Sequence, residues 1–176
     1  MKKIAIAALL SVVAFPVVAE DMHMYIGARA GQARTNLDTV VLDKDTPTAW
    51  GVSIGHAFNP MFAIEAEYLN LGKVTGAGTG VESRGYSLSG VGSIPMGEQF
   101  SFFGKLGYAM ISSKDVSPIA RPEADSKAVT YGLGGQFNFS PAFGLRAGWD
   151  RYNIDDSAVT LKGNISLVSV GAVFKF

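Results

Sequence analysis

The sequence predicts an all-β protein, eight antiparallel strands in an up-and-down barrel. Three observations lead there. Apolar side chains recur at every second residue over stretches of 9 to 12 residues, which is the period of a strand. Turn residues break the chain at alternately long and short intervals. The final stretch, Ile165 to Phe176, alternates to its last residue, and a terminal Phe needs an apolar place for its ring.

The 176 residues fit one domain. Met1-Lys2-Lys3, an apolar run from Ile4 to Val18, and Val17-Val18-Ala19 before Glu20 read as a secretory signal peptide over residues 1–19. The run is about 15 residues, short of the ~20 of a spanning helix, and no Cys follows Ala19 for a lipid anchor. The expected mature chain is 20–176. It leaves two lysines behind, so a formally neutral precursor becomes a chain of net charge −2. That balance excludes nucleic acid as a partner. The absence of Cys excludes disulfides and thiolate metal sites.

The first strand spans about Met24 to Arg34, with Ile26, Ala28 and Ala30 opposite Gly27, Arg29 and Gly31. The second, about Ala49 to Phe58, sets Trp50, Val52, Ile54 and Phe58 against Gly51, Ser53, Gly55 and Ala57. After Asn59-Pro60 the third runs to Leu71, with Phe62, Ile64, Ala66 and Tyr68 opposite Glu65 and Glu67. The fourth, about Gly85 to Ile94, sets Tyr86, Leu88 and Ile94 against Ser87, Ser89, Val91 and Ser93. The fifth, about Phe100 to Ile111, sets Phe102, Leu106, Tyr108 and Met110 against Ser101, Phe103, Lys105 and Ala109. The sixth, about Lys127 to Phe139, sets Val129, Tyr131, Leu133, Phe137 and Phe139 against Thr130, Gly132, Gly134, Gln136 and Asn138. After Ser140-Pro141 the seventh reaches Tyr152, with Phe143, Leu145, Ala147 and Trp149 opposite Gly144, Arg146, Gly148 and Asp150. Long loops are expected at about 34–49, 72–84, 112–127 and 153–164, on one rim.

Two exported barrels satisfy this alternation. A soluble ligand carrier turns its apolar face inward. An outer-membrane barrel turns it to lipid and keeps polar groups inside. Three features favour the second. Phe58, Phe62, Phe102, Phe139, Phe143, Phe174 and Phe176 gather near the short-turn rim. Trp50, Tyr68, Tyr86, Tyr108, Tyr131 and Trp149 gather toward the long-loop rim, giving the two interfacial belts of a membrane barrel. The minority face carries Arg29, Glu65, Glu67, Lys105, Arg146 and Asp150 in mid-strand. Basic side chains there would cost about 2–4 kcal/mol each in lipid, whereas inside they can pair. The strand lengths match the ~9–11 residues of a tilted crossing.

Tyr25-Ile26-Gly27-Ala28-Arg29, Asn59-Pro60 with Glu65 five residues on, Pro95 before the fifth strand, Ser140-Pro141 with Arg146 five residues on, and the terminal Val173-Phe174-Lys175-Phe176 resemble the OmpA-like eight-stranded transmembrane domain and its small outer-membrane relatives. The resemblance implies an interior acidic–basic network, considered a gate in that family. Glu65 and Arg146 match two members, and Lys105 and Arg29 match other interior basic positions. It departs at Val91, where a lysine is expected, and at Gln136, where an acid is expected. Glu67 and Asp150 are the candidate substitutes. It also implies that the last strand, through Val168, Val170, Phe174 and Phe176, is read by the outer-membrane assembly machinery. The peptidoglycan-binding domain of longer relatives is not expected.

A structural or surface-interaction role is the leading expectation, with outer-membrane lipids and lipopolysaccharide around the barrel and host or surface ligands at the four loops. A narrow porin-like channel is the alternative, since eight strands leave an interior just wide enough for side chains. Catalysis is not expected. The two histidines, His23 and His56, fall near the short-turn rim, far from a loop-borne Ser and acid. Asp43 with Asp45 and Asp155 with Asp156 read as solvated loop carboxylates, so no metal or cofactor is expected.

Overall fold

A computed structural model describes residues 22–37, 47–76, 79–115, 124–156 and 161–176. The expected signal peptide, the Asp43/Asp45 pair and the tips of the long loops lie outside these residues, as do the side chains of Asp155 and Asp156.

Eight strands are present: β1 His23–Leu37, β2 Thr48–Ala57, β3 Phe62–Gly76, β4 Thr79–Met96, β5 Phe100–Asp115, β6 Ala124–Asn138, β7 Phe143–Asp156 and β8 Leu161–Lys175. Each pairs antiparallel with its chain neighbours, and β8 closes on β1. Closure satisfies every sheet edge, which a lipid environment requires. The terminal residue takes part: Phe176 N–H donates to Met24 O at 2.9 Å, and Met24 N–H donates to Phe176 O at 3.1 Å. The row through Arg29 reaches β6 at Ser126 one way round and at Gln136 the other. That ten-residue offset is the shear that tilts the strands.

The short turns are fixed by local chemistry. Asn59 Oδ1 accepts the N–H groups of Met61 and Phe62, each at 2.8 Å. Ser140 Oγ accepts the Phe143 N–H at 3.1 Å. Gly97, with φ +85°, supplies the left-handed residue of the β4–β5 turn.

The long connections differ from the sequence reading. Within the stretches read as loops, residues 34–37 and 48–49, 72–76 and 79–84, 112–115 and 124–127, and 153–156 and 161–164 are strand. β3 and β4 pair as far as Gly76 and Thr79, and β5 and β6 as far as Ser113 and Ala124. β7 reaches Asp156 opposite Leu161, and β1 reaches Leu37 opposite Gly163. Glycines and charges argue against a half-buried strand, but a ladder continued beyond the apolar zone needs only backbone pairing and a solvated pleat. A bulge in β3 between Asn70 and Lys73 restores register. Gly72 occupies it at φ +81°, with its N–H bonded to Asn70 Oδ1 at 2.9 Å.

Facing outward are Ile54, Leu88, Leu106, Leu133, Leu145 and Val170, each about half exposed or more. So continuous an apolar surface has no stable place in water. No helix among the described residues is long and apolar enough to cross a membrane, which says nothing of crossing by strands.

Candidate functional site

The barrel interior divides into three layers. All six mid-strand charges point inward, and all come from the odd-numbered strands: Arg29 on β1, Glu65 and Glu67 on β3, Lys105 on β5, Arg146 and Asp150 on β7. The even strands answer with small residues. A Cβ at Gly51 would stand 3.0 Å from Glu67 Oε1, and one at Gly171 would stand 2.7 Å from Arg29 Cβ. Large groups from four strands therefore fill the space that glycine and serine on the other four leave open.

Arg29 is the hub. Its Nε and one terminal nitrogen grip the two oxygens of Glu67, the second at 2.7 Å. Its other nitrogen bonds to Asp150 and reaches Ser169 Oγ at 3.3 Å. The guanidinium also donates to Tyr152 Oη at 3.0 Å. Lys105 Nζ lies 2.8 Å from Glu65 Oε1, 3.6 Å from Glu67 and 3.9 Å from Asp150, and so joins the two halves. Glu65 also accepts from Arg146 at 2.6 Å and from the Tyr25 hydroxyl at 2.9 Å. The Arg146 guanidinium lies over the rings of Phe103 and Tyr25, 4.8 and 5.4 Å from their centroids. Three positive and three negative groups are thus paired in a space where Glu65 is 2% exposed. The remaining cavity within this layer is about 30 Å³, room for a water molecule or two.

Gln136, which stands where the resemblance led us to expect an acid, accepts from Arg146 Nε and a terminal nitrogen at 3.1 and 3.0 Å. Its amide nitrogen donates to Asn138 Oδ1 at 2.8 Å, which also accepts from Lys175 Nζ at 3.0 Å. Val91, in place of the expected lysine, is buried opposite Lys105 in the ladder. These residues lead into a cavity of about 210 Å³ at the short-turn mouth, lined in part by Ser93, Ser101, Asn138 and Lys175.

Toward the loop end the interior is apolar. Leu69, Leu71, Ile111, Tyr152, Ile165 and Leu167 form one buried cluster. Sequence reading missed this layer, as well as the inward roles of Tyr25 and Tyr152. The signal was present in the register. Leu69 and Leu71 continue the Glu65–Glu67 face, Ile111 continues that of Lys105, and Tyr152 that of Asp150.

The aromatic residues flank the outer face. At the loop side, the Trp50 and Tyr68 rings are 5.8 Å apart, Tyr68 and Tyr86 5.2 Å, and Tyr131 and Trp149 6.0 Å. Tyr108 is exposed on the same face. At the short-turn side Phe143 meets Phe174 at 6.4 Å, Phe174 meets Phe176 at 6.3 Å, and Phe139 meets Phe137 at 5.0 Å. Phe62 is exposed there. Phe58 packs edge-on against outward His56 at 4.9 Å. Val168 and Val170 complete the outward face of β8. No group of three potential metal-ligating His, Asp or Glu side chains occurs among the described residues.

An apolar outer face between two aromatic belts, around a charged interior, defines a transmembrane β-barrel. The chain belongs to the outer membrane protein beta-barrel domain family, whose model matches residues 5–176. Solved structures share the fold. Neisserial surface protein A is 16% identical with a TM-score of 0.77, over 89% of this chain and all of its own. Ail, the attachment invasion locus protein of Yersinia pestis, solved with the heparin analogue sucrose octasulfate, is 20% identical with a TM-score of 0.65, over 89% of this chain and 99% of its own. OprG of Pseudomonas aeruginosa is 14% identical with a TM-score of 0.58, over 88% and 95%. No curated protein sequence matches significantly.

Proposed function

We propose that the chain is a structural and surface-interaction element of the bacterial outer membrane and that it does not conduct solutes. The observation that carries this reading is the double seal of the interior. Six paired charges leave space for a water or two, and an apolar layer covers them toward the loop end. An ion crossing would have to break the charge network and then traverse a buried, mainly apolar layer. Arg146, a member of the charge network, lines the 210 Å³ cavity at the short-turn mouth. The packed charge layer and the apolar layer weigh against the alternative, a narrow channel.

What remains available for contact is the far end of the strands, where paired ladders carry the chain beyond the apolar zone. Ail, named for attachment, offers the same architecture, and rigid strand-borne ends suit such contact. Export on a leader over residues 1–19, and reading of Val168, Val170, Phe174 and Phe176 by the assembly machinery, belong to the same proposal. Planar-bilayer recording tests the main point. No openings are expected in the wild type, and stepwise ionic currents would overturn the reading.

A further inference from the structure

The short-turn mouth of the barrel holds an inward charge that the six-membered network leaves out. Three positive and three negative groups balance in the charge layer. Lys175, half-buried on β8, is a further cation in the cavity of about 210 Å³ next to that layer. Its Nζ donates at 3.0 Å to the side-chain oxygen of Asn138, a neutral group. Arg146 lines the same cavity, and the carboxylate it grips, Glu65, is shared with Lys105. Glu98 also lines the cavity, but it is exposed on the β4–β5 turn, and the Lys175 hydrogen bond goes to Asn138 instead. A cation partly withdrawn from water favours a nearby negative charge.

The hydrogen bonds fix what else faces this space. A lysine only donates, so Asn138 turns Oδ1 toward Lys175, and the same oxygen accepts from Gln136 Nε2 at 2.8 Å. Gln136 in turn gives its Oε1 to Arg146 at 3.1 and 3.0 Å. Both amide oxygens are thereby engaged. What these side chains still offer is N–H, from the Asn138 amide nitrogen and the remaining protons of Lys175. The hydroxyls of Ser93 and Ser101 line the same cavity. A donor-rich space with surplus positive charge matches an ionised carboxylate, which only accepts. Tyr25, Val91 and Val173 complete the lining, each 3% exposed. That apolar wall suits an organic body attached to the carboxylate, and an inorganic anion would leave it facing water.

We propose that this mouth is a binding site for a small organic acid. The carboxylate takes charge-assisted hydrogen bonds from Lys175 Nζ and a further bond from the Asn138 amide, and the carbon chain lies against Val91 and Val173. The charge layer closes the inner end, so the barrel holds the acid without passing it on. The proposal goes beyond the surface-interaction role. It rests on the outer-membrane reading only for the side, the periplasm, from which the ligand enters.

The test titrates the isotope-labelled full chain, folded in phosphocholine micelles, with butyrate, with its neutral isostere butyramide and with inorganic phosphate, and follows the amide resonances by NMR. Heat-modifiable gel migration reports that each barrel is closed. Butyrate is expected to shift the Asn138 side-chain amide and the backbone amides of Val91 and Ser101 to saturation, and butyramide to leave them in place. Lys175→Gln is expected to weaken butyrate at least roughly tenfold, the loss of a hydrogen bond to a charged group. Ser101→Leu, which fills the cavity, is expected to abolish saturation, and Lys127→Gln, an exposed cation on the outward face of β6, to match the wild type. Absence of a saturable shift with butyrate would overturn the proposal, as would equal affinity in the closed Lys175→Gln barrel. Phosphate binding as tightly as butyrate would overturn the choice of an organic acid, because charge alone would then account for the site. Binding in micelles is read without reference to membrane side, so its failure would leave the outer-membrane reading standing.

Discussion

Replacing Arg29 by Met removes the hub of the interior network while keeping a long, flexible side chain. Glu67 loses two hydrogen bonds and Asp150 one, and the Tyr152 hydroxyl loses its donor. Lys105 remains the nearest cation, 3.6 Å from Glu67 and 3.9 Å from Asp150 but already 2.8 Å from Glu65. One positive charge then faces two carboxylates and shares a third with Arg146. Breaking a buried pair costs about 3–5 kcal/mol, because the surviving charge is left uncompensated. With a urea dependence near 2 kcal/mol per molar, the unfolding midpoint in bilayers should fall by roughly 1.5–2.5 M. The assay is urea titration of the folded band by unheated gel migration, with tryptophan fluorescence in parallel. Adding Glu67→Gln to Arg29→Met should recover part of the loss, a coupling of about 0.5–3 kcal/mol. A loss below about 1 kcal/mol for Arg29→Met, with no coupling, would refute the argument that these charges are mutually dependent.

Leu69→Ala, which opens the apolar layer, should cost about 2–5 kcal/mol in the same titration while planar bilayers stay silent, since the charge layer still seals the interior. Gly171→Val should impair closure, because its Cβ would meet Arg29 Cβ at 2.7 Å and β1 backbone as well; loss of the heat-modifiable band is the expected readout. Gly72→Ala, at φ +81° and with a Cβ 2.7 Å from Thr48 O, should destabilise by about 1 kcal/mol or more. Deleting Phe176 should lower the fraction of chain assembled in the outer membrane more than the urea midpoint of the chain that does assemble; normal assembly would count against an address in the last strand.

The barrel was legible because period-two alternation survives every strand and because mid-strand charge is confined to one face of it. Arg29, Glu65, Glu67, Lys105, Arg146 and Asp150 declared themselves by standing on that face in mid-strand. Their pairing was not legible. It depends on the shear, which sets Glu67 and Asp150 against Arg29 and sends Glu65 to Lys105 and Arg146. The strand ends misled for a different reason. Beyond the lipid the pleat is solvated on both sides, so Gly, Lys and Glu are as acceptable in a ladder as in a loop. The apolar plug was hidden by the assumption that a membrane barrel is polar within. Leu69, Leu71 and Ile111 show that a narrow barrel can fill its interior as a soluble core does.

The most direct measurement uses the absence of native cysteine. A single cysteine at outward Leu106 carries a spin label, and its collision with oxygen and with a water-soluble relaxer is compared in bilayers; a single cysteine at inward Ser53, nearly isosteric with serine, is left unlabelled and exposed to a small water-soluble thiol reagent. The label at 106 is expected to meet oxygen freely and the aqueous relaxer hardly at all, and the thiol at 53 to stay unmodified until the barrel is unfolded. Ready access of the aqueous relaxer at 106, or rapid modification at 53 in a closed barrel, would contradict a lipid-facing surface around a sealed interior.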